Sequence, residues 1–336
     1  MHSHLAWSQQ QVSVQYFTPV PNLSIRALAA VSDTKAWFAG DRGIWGFTED
    51  GGKSWRIDSI RVDKCFPDFR SIAVLNDSTA LLLSAGSPAY LFRTDSKGLF
   101  WRLVHKNMHS DIFYDSMKFT DSKNGVAIGD PIDGCFQVIT TNDAGMRWSQ
   151  KECSTLPKAE KGEALFASSN SNIEIYGKQT WFATGGSRAR VFNSADLGKK
   201  FEMYDTPIAQ GGEMTGIYSL DFFNDSLGVI GGGDYFKSDP SITCLAITKN
   251  GGKTWTAMPS KVPFFGSCVQ FKSAKTVLIT GQSGTFSCSV DKETITELKN
   301  KSGEALKFNT LRIAPSGNVV WLAGKNGDIG RMTELE

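Results

Sequence analysis

The sequence has little of what many catalytic and membrane chemistries require. Only four histidines occur in 336 residues. The six cysteines contain no C-x-x-C and no metal-ligand spacing, so neither a redox metal, a haem nor any other metal centre is written in the chain, and no cofactor is expected. His105 and His109 stand four apart, but in a connection that reads as a loop, where they are solvated side chains rather than ligands. No G-x-G-x-x-G lies between a strand and a helix, which removes the dinucleotide fingerprint. No run approaches the roughly 20 apolar residues that span a bilayer. Thirty-six basic residues balance 34 acidic ones, for a net charge of +2, without a basic run. That balance argues against nucleic acid as the principal partner.

What is present is a turn. Thr48 to Trp55 reads TEDGGKSW, of the form Ser/Thr-x-Asp-x-Gly-x-x-Trp. Its aspartate can fold back onto backbone N–H groups, its glycine can take φ > 0, and its tryptophan can cap the adjoining apolar layer. The turn recurs as TDSKGLFW, TNDAGMRW, SADLGKKF and TKNGGKTW, ending at Trp101, Trp148, Phe201 and Trp255, with spacings of 46, 47, 53 and 54 residues. A period of that length is a repeat architecture. With 33 glycines, nine tryptophans and 40% hydrophobic residues, the composition suits many turns and aromatic wedges better than long helices. The tryptophans at 55, 101, 148 and 255 should be buried wedges at equivalent positions.

Each repeat carries four short apolar stretches. The first runs IRALAAV, AWFAG, GIWGF and WRI, and the fourth runs from EALFASS through WFATGG and ARVFNS to FEMY. The sixth turn has decayed to SVDKETIT, and the seventh repeat ends where its turn would begin. Seven repeats, the last lacking a strand, point to an all-β ring: a seven-bladed β-propeller over residues 11–336, with Val12 to Phe17 completing the blade formed by Thr310 to Met332. A six-bladed ring with one irregular blade is the alternative. Residues 1–10 form a tail in which Ala6-Trp7-Ser8 has the small-x-small form of a signal-peptidase site. It reads as the remnant of an export signal or as a plain tail. Cys135 and Cys153 lie symmetrically about Ala144, so they are placed to face each other across a hairpin. A disulfide or two free thiols both fit, the former suiting a periplasmic or secreted protein.

The repeated turns resemble the Asp-box (BNR) turns of sialidase-type propellers. AWFAGDRGIWGFTEDGGKSW and VVWLAGKNGDIGRM are similar to phrases of the photosystem II assembly/stability factor-like group. GDPIDG, GEALFASS, FATGGSRARVF, IYSLDF and GGGDYFKSD resemble, in that order, uncharacterised bacterial propellers labelled "oxidoreductase". The resemblance covers nearly the whole chain and implies the fold, whereas activity has to be argued from a site. No arginine-isoleucine-proline motif of the sialidase kind opens the first blade, since Ala27 follows Arg26.

In a propeller, strands A to D run from the axis outward. The repeated turns join C to D on one face, while the B–C turns and the starts of strand A share the other. There the sequence offers Asp41, Arg42, Asp115, Asp130, Glu163, Arg188, Tyr218, Asp234 and Tyr235 as candidate ligand-binding residues. Glu163 with Arg188 forms a candidate ion pair, and Asp115 with Asp130 a candidate carboxylate pair with one pKa raised by the other. Arginines among carboxylates suit a polar or anionic ligand, and tyrosines add flat contact surface. The expected function is an exported propeller binding a polar small molecule, a glycan or a protein partner. A glycan-active hydrolase using these acids is the alternative, with a redox role behind it. Nothing in the sequence sets the oligomeric state.

Overall fold

The apolar stretches of each repeat can bury both faces only between neighbouring sheets, so they pair locally and stack radially. In the computed structural model, which describes residues 8–237, 239–260 and 263–333, blade 1 is Ile25–Ala30, Ala36–Gly40, Ile44–Thr48 and Arg56–Ser59 from the axis outward. The innermost strands of blades 2 to 7 are Asp68–Val74, Tyr114–Phe119, Ile173–Tyr176, Thr215–Phe222, Cys268–Ser273 and Thr310–Ile313. Two short 3-10 turns, Cys153–Thr155 and Lys325–Gly327, are the only helical segments among the described residues. The ring closes as its seventh repeat requires. Ser13–Phe17 pairs antiparallel with Ile329–Thr333 on blade 7. Just before it, Gln9–Gln11 pairs parallel with Thr294–Lys299 on blade 6, an attachment the sequence did not announce. The signal-peptidase reading at Ala6-Trp7-Ser8 falls largely outside the described residues.

The repeated turn has one hydrogen-bond plan. In blade 1, Gly52 N–H donates to Thr48 Oγ1 at 2.9 Å, Ser54 N–H donates to Asp50 Oδ1 at 2.9 Å, and Trp55 Nε1–H donates to Gly52 O at 3.0 Å. Blades 3 and 5 repeat all three bonds through Thr141, Asp143 and Trp148, and through Thr248, Asn250 and Trp255. The Ser54 hydroxyl and amide hold Asp50 down to a pKa of about 2. These acids form the turn through one oxygen, Oδ1, which accepts the backbone N–H in blades 1 and 3 alike. Trp55, Trp101, Trp148 and Trp255 are half-buried lids rather than buried wedges. Among the described residues, the fully buried tryptophans are instead Trp45, Trp181 and Trp321, on the second and third strands of their blades.

Two further details differ from or settle the sequence reading. His105 lies on the outer strand Arg102–Asn107, with Nε2 3.2 Å from the Tyr114 hydroxyl, and burial lowers its pKa. Cys135 and Cys153 form a disulfide with Cα atoms 5.6 Å apart.

Blade 4 holds the main departure. EALFASS is not its inner strand. Glu163–Ala164 pairs with Gly185–Gly186, which in turn meets blade 5 at Gly216. Residues 165–172 then cross the central channel as a plug, with Ser169 and Asn172 fully buried. The plug needs partners for the polar groups it takes out of water, and five other blades supply most of them, Asn172 Oδ1 being left without one. Asn170 Nδ2 donates to Ile72 O on blade 2, and Met117 N–H on blade 3 donates to Asn170 Oδ1. Leu220 N–H on blade 5 donates to Ser171 O, and Ser169 Oγ donates to Ser267 O beside blade 6. Arg312 of blade 7 clamps the backbone, with Nη2 donating to Ser169 O at 2.8 Å and Asn170 O at 2.6 Å.

Candidate functional site

The channel mouth above this plug is built by one repeated device. In blades 1, 2, 3 and 5 the innermost strand slips register near its start, between Ile25 and Ala27, Phe69 and Ser71, Tyr114 and Ser116, and Ile217 and Ser219. The extra residue in each case is Arg26, Arg70, Asp115 and Tyr218. A β-bulge re-aims its side chain away from the ordinary alternation. Here four such side chains turn toward one another. Arg26 lies in the field of Arg70, Arg70 in that of Asp115, and Tyr218 in that of Arg26.

On one side stand the acids. Asp115 is fully buried, and neither carboxylate oxygen has a hydrogen-bond partner. The nearby Asp130 amide is already committed to Phe113 O at 2.9 Å. Burial pushes the Asp115 pKa well up, and the Asp130 carboxylate pushes it further. Burial also raises Asp130, to about 6, against the Leu165 amide that donates to its Oδ1 at 2.7 Å. Asp115 thus feels the charge of Asp130, with burial rather than that repulsion as the larger cause.

On the other side stands an aromatic wall. Phe166 of the plug stacks on Tyr218 with ring centroids 3.9 Å apart, and Phe265 meets Tyr218 edge-on at 4.6 Å. Tyr235 lies 6.4 Å from Tyr218 and 5.5 Å from Phe265, with the exposed ring of Phe236 beside it. Tyr218 donates its hydroxyl to Met214 O at 2.9 Å, and burial raises its pKa. Asp234 caps the turn below Tyr235 by accepting from the Phe236 and Lys237 amides.

Between the two sides lie the arginines. Arg70 is fully used: its Nε and Nη2 bond to Asp68, and Nη1 donates to Ala167 O of the plug at 3.1 Å. Arg26 makes no hydrogen bond or ion pair among the described residues. Its pKa is lowered first by burial and next by Arg70, with Tyr235, Asp68 and Asp41 opposing from a distance. A guanidinium that is half-buried, beside another cation and without an acceptor is a site prepared for an anion.

Of the nine residues expected from the sequence, Asp115, Asp130, Tyr218, Asp234, Tyr235 and Asp41 border this mouth. Asp41 accepts from Ser24 N–H at 3.3 Å and lies 3.5 Å from Arg42 Nε. Arg42 itself is exposed and also reaches Pro21 O. The other two do not join the mouth. Glu163 is buried in an ion pair with Arg190, not Arg188. Arg190 Nε donates to Glu163 Oε1 at 2.9 Å, and the Thr184 hydroxyl donates to the same oxygen at 2.6 Å. Arg188 points to solvent. Arg190 opens the strand Arg190–Ser194 beside Thr184 and Glu163, whereas Arg188 stands in the exposed turn before that strand.

The sequence reading passed over Arg26, Arg70, Phe166 and Phe265. A signal for the arginines existed: IRALAAV and FRSIAVL place arginine second in the innermost strand, where the third and fifth repeats place Asp115 and Tyr218.

No family model matches the chain, and no curated protein matches it. Among solved structures it is similar to YCF48 bound to D1 peptide, at TM-score 0.71 and 11% identity over 98% of this chain and 100% of that one. It is similar to YCF48 from Cyanidioschyzon merolae, at 0.69 and 12% over 96% and 99%. It is also similar to virginiamycin B lyase from Staphylococcus aureus, at 0.70 and 10% over 97% and 100%. Likeness at such identities concerns the fold alone.

Proposed function

We propose that this propeller is a binding protein whose mouth on the B–C face takes an acidic segment of a protein partner. The observation that carries this reading is Arg26, a half-buried guanidinium without an acceptor, set between an aromatic wall and a satisfied second arginine. A carboxylate of the partner would complete Arg26, while Tyr235 and Phe236 would cover an adjacent apolar or planar side chain. A similar fold is known bound to a D1 peptide, which supports a peptide as the kind of ligand. The plug makes the mouth a closed cup, so the partner docks onto it rather than threading through. A hydrolase reading loses its second carboxylate, because Asp115 is sealed from substrate. The Cys135–Cys153 bond supports placing the work in an oxidising compartment, periplasmic or secreted.

The test is selection from a displayed peptide library by the purified protein, repeated with Arg26→Ala. Enrichment of acidic peptides by the parent, lost in the variant, is the expected result. Enrichment that ignores the substitution, or none at all, refutes the reading.

A further inference from the structure

On the face of the repeated turns, four inter-blade junctions are filled by a large side chain of one blade against a turn of the next. Between blades 3 and 4 the Thr120 hydroxyl donates to Gly177 O at 3.2 Å, and no large side chain meets the repeated turn. At blades 2 and 3, a Cβ at Gly145 would lie 2.3 Å from Leu81, and Arg93 Nε donates to Ala144 O at 2.9 Å. At blades 4 and 5, Trp181 Nε1 donates to Gly251 O at 2.8 Å. At blades 7 and 1, Trp321 Nε1 and Arg331 Nε donate to Ser32 O and Asp33 O. At blades 1 and 2, Gly98 is pressed onto Trp45. Blade 4's turn glycine, Gly198, meets only its own Phe201.

The cause is in the sequence. Opposite the third strand, where blades 1, 2 and 4 carry Trp37, Leu81 and Trp181, blade 3 carries Val126, paired with the short Thr140. Its outer strand is also just Ser149–Gln150. These substitutions leave a cavity of about 440 Å³ between the blades. That volume falls within the range of small-molecule sites.

The cavity's chemistry is asymmetric. Val126, Ile175 and Leu197 form an apolar floor, and Arg147, Lys151 and Lys199 stand around it. Neither lysine makes an ion pair among the described residues. Asp143 accepts Arg147 Nε at 2.9 Å on Oδ2, which keeps a lone pair for a ligand donor. A ligand must therefore bring a negative group and hydroxyl donors together. We infer that the cleft between blades 3 and 4 is a second binding site, for a sugar acid or sugar phosphate, on the face opposite the mouth.

The test is titration calorimetry with a uronic-acid disaccharide and with glucose 6-phosphate, using maltose and an acidic hexapeptide as controls. Binding of either anionic sugar, but of neither control, is expected. The Lys151→Ala/Lys199→Ala double variant should weaken it by about tenfold or more. Val126→Trp, which restores the bulk found in blades 1 and 4, should abolish it. The double variant alone decides the matter if Val126→Trp does not fold. Peptide selection by the mouth should be unchanged in the lysine variant, so the two sites fail or stand separately. No binding by either sugar, equal binding of maltose, preference for the hexapeptide, or affinity unmoved by the lysine changes overturns the inference.

Discussion

The two ends of the central channel are lined by the same innermost strands, yet they finish their electrostatics in opposite ways. Below the plug, Lys118 bonds to Glu174 at 2.8 Å, Asp221 accepts the Phe271 amide at 2.6 Å, and Arg312 is spent on plug carbonyls. The space left there is only about 30 Å³. Above the plug, Arg26 has no acceptor, Asp115 has no donor, and Phe236 stands in solvent. Charge at a channel is therefore no guide to function by itself. The lower set is consumed in holding the fold, whereas Arg26 in the upper set keeps unused capacity.

This contrast can be broken by substitution. The largest effect should come where the plug is anchored. Glu163→Ala leaves Arg190 buried and unpaired, and should cost roughly 3–5 kcal/mol in a denaturant melt. A loss below 1 kcal/mol would show that the anchor is dispensable. Next comes Arg312→Ala, which strips two plug carbonyls of a charged donor and should cost about 2–3 kcal/mol. Thermal unfolding of that variant at the parent's temperature would place Arg312 with the unused groups.

The acids give a smaller effect with a sign. Because the folded-state pKa of Asp130 is raised to about 6, above its unfolded value, folding binds a proton between roughly pH 4 and pH 6. Stability should thus fall as pH rises through that window. Asp130→Asn can still accept the Leu165 amide. It should flatten the slope and add on the order of 1–2 kcal/mol at pH 7. A parent and variant with parallel pH profiles would remove Asp130 as the source.

The smallest effect sharpens the comparison most. Arg26→Ala should change stability by less than about 0.5 kcal/mol, since it breaks no bond and relieves repulsion with Arg70. A loss near that of Arg312→Ala would make Arg26 structural and empty the mouth of its argument.

Much of the architecture was legible because it repeats. Turn spacing, the four-stretch pattern and the unfinished seventh repeat point to seven blades and to Val12 to Phe17 as the closing strand, of which Ser13–Phe17 pairs. The site was less legible, because it lies where the repeat is broken. Residues 165–172 look like a strand by composition, yet the spacing of 53 from Trp148 to Phe201, against 46 and 47 before it, already held the extra chain that became the plug. The bulges are similarly hidden: one inserted residue exchanges which side chain faces the mouth, so arginines within apolar strands passed for ordinary alternation. Glu163 found Arg190 instead of Arg188 for another reason: Arg188 lies in the exposed turn, and the buried strand begins two residues later.

The double attachment of the N-terminal strands has a temporal consequence. Gln9 pairs with Glu297, 288 residues away, and Ser13 pairs with Thr333. Blades 1 to 5 can each assemble from neighbouring chain, but blades 6 and 7 cannot be completed until those distant residues meet. Closing so long a loop is slow compared with hairpin formation. Until it closes, the outer edges of two sheets stay unpaired and open to other chains. The ring's last stitch is thus also its period of greatest exposure, and refolding should be cleanest at low protein concentration.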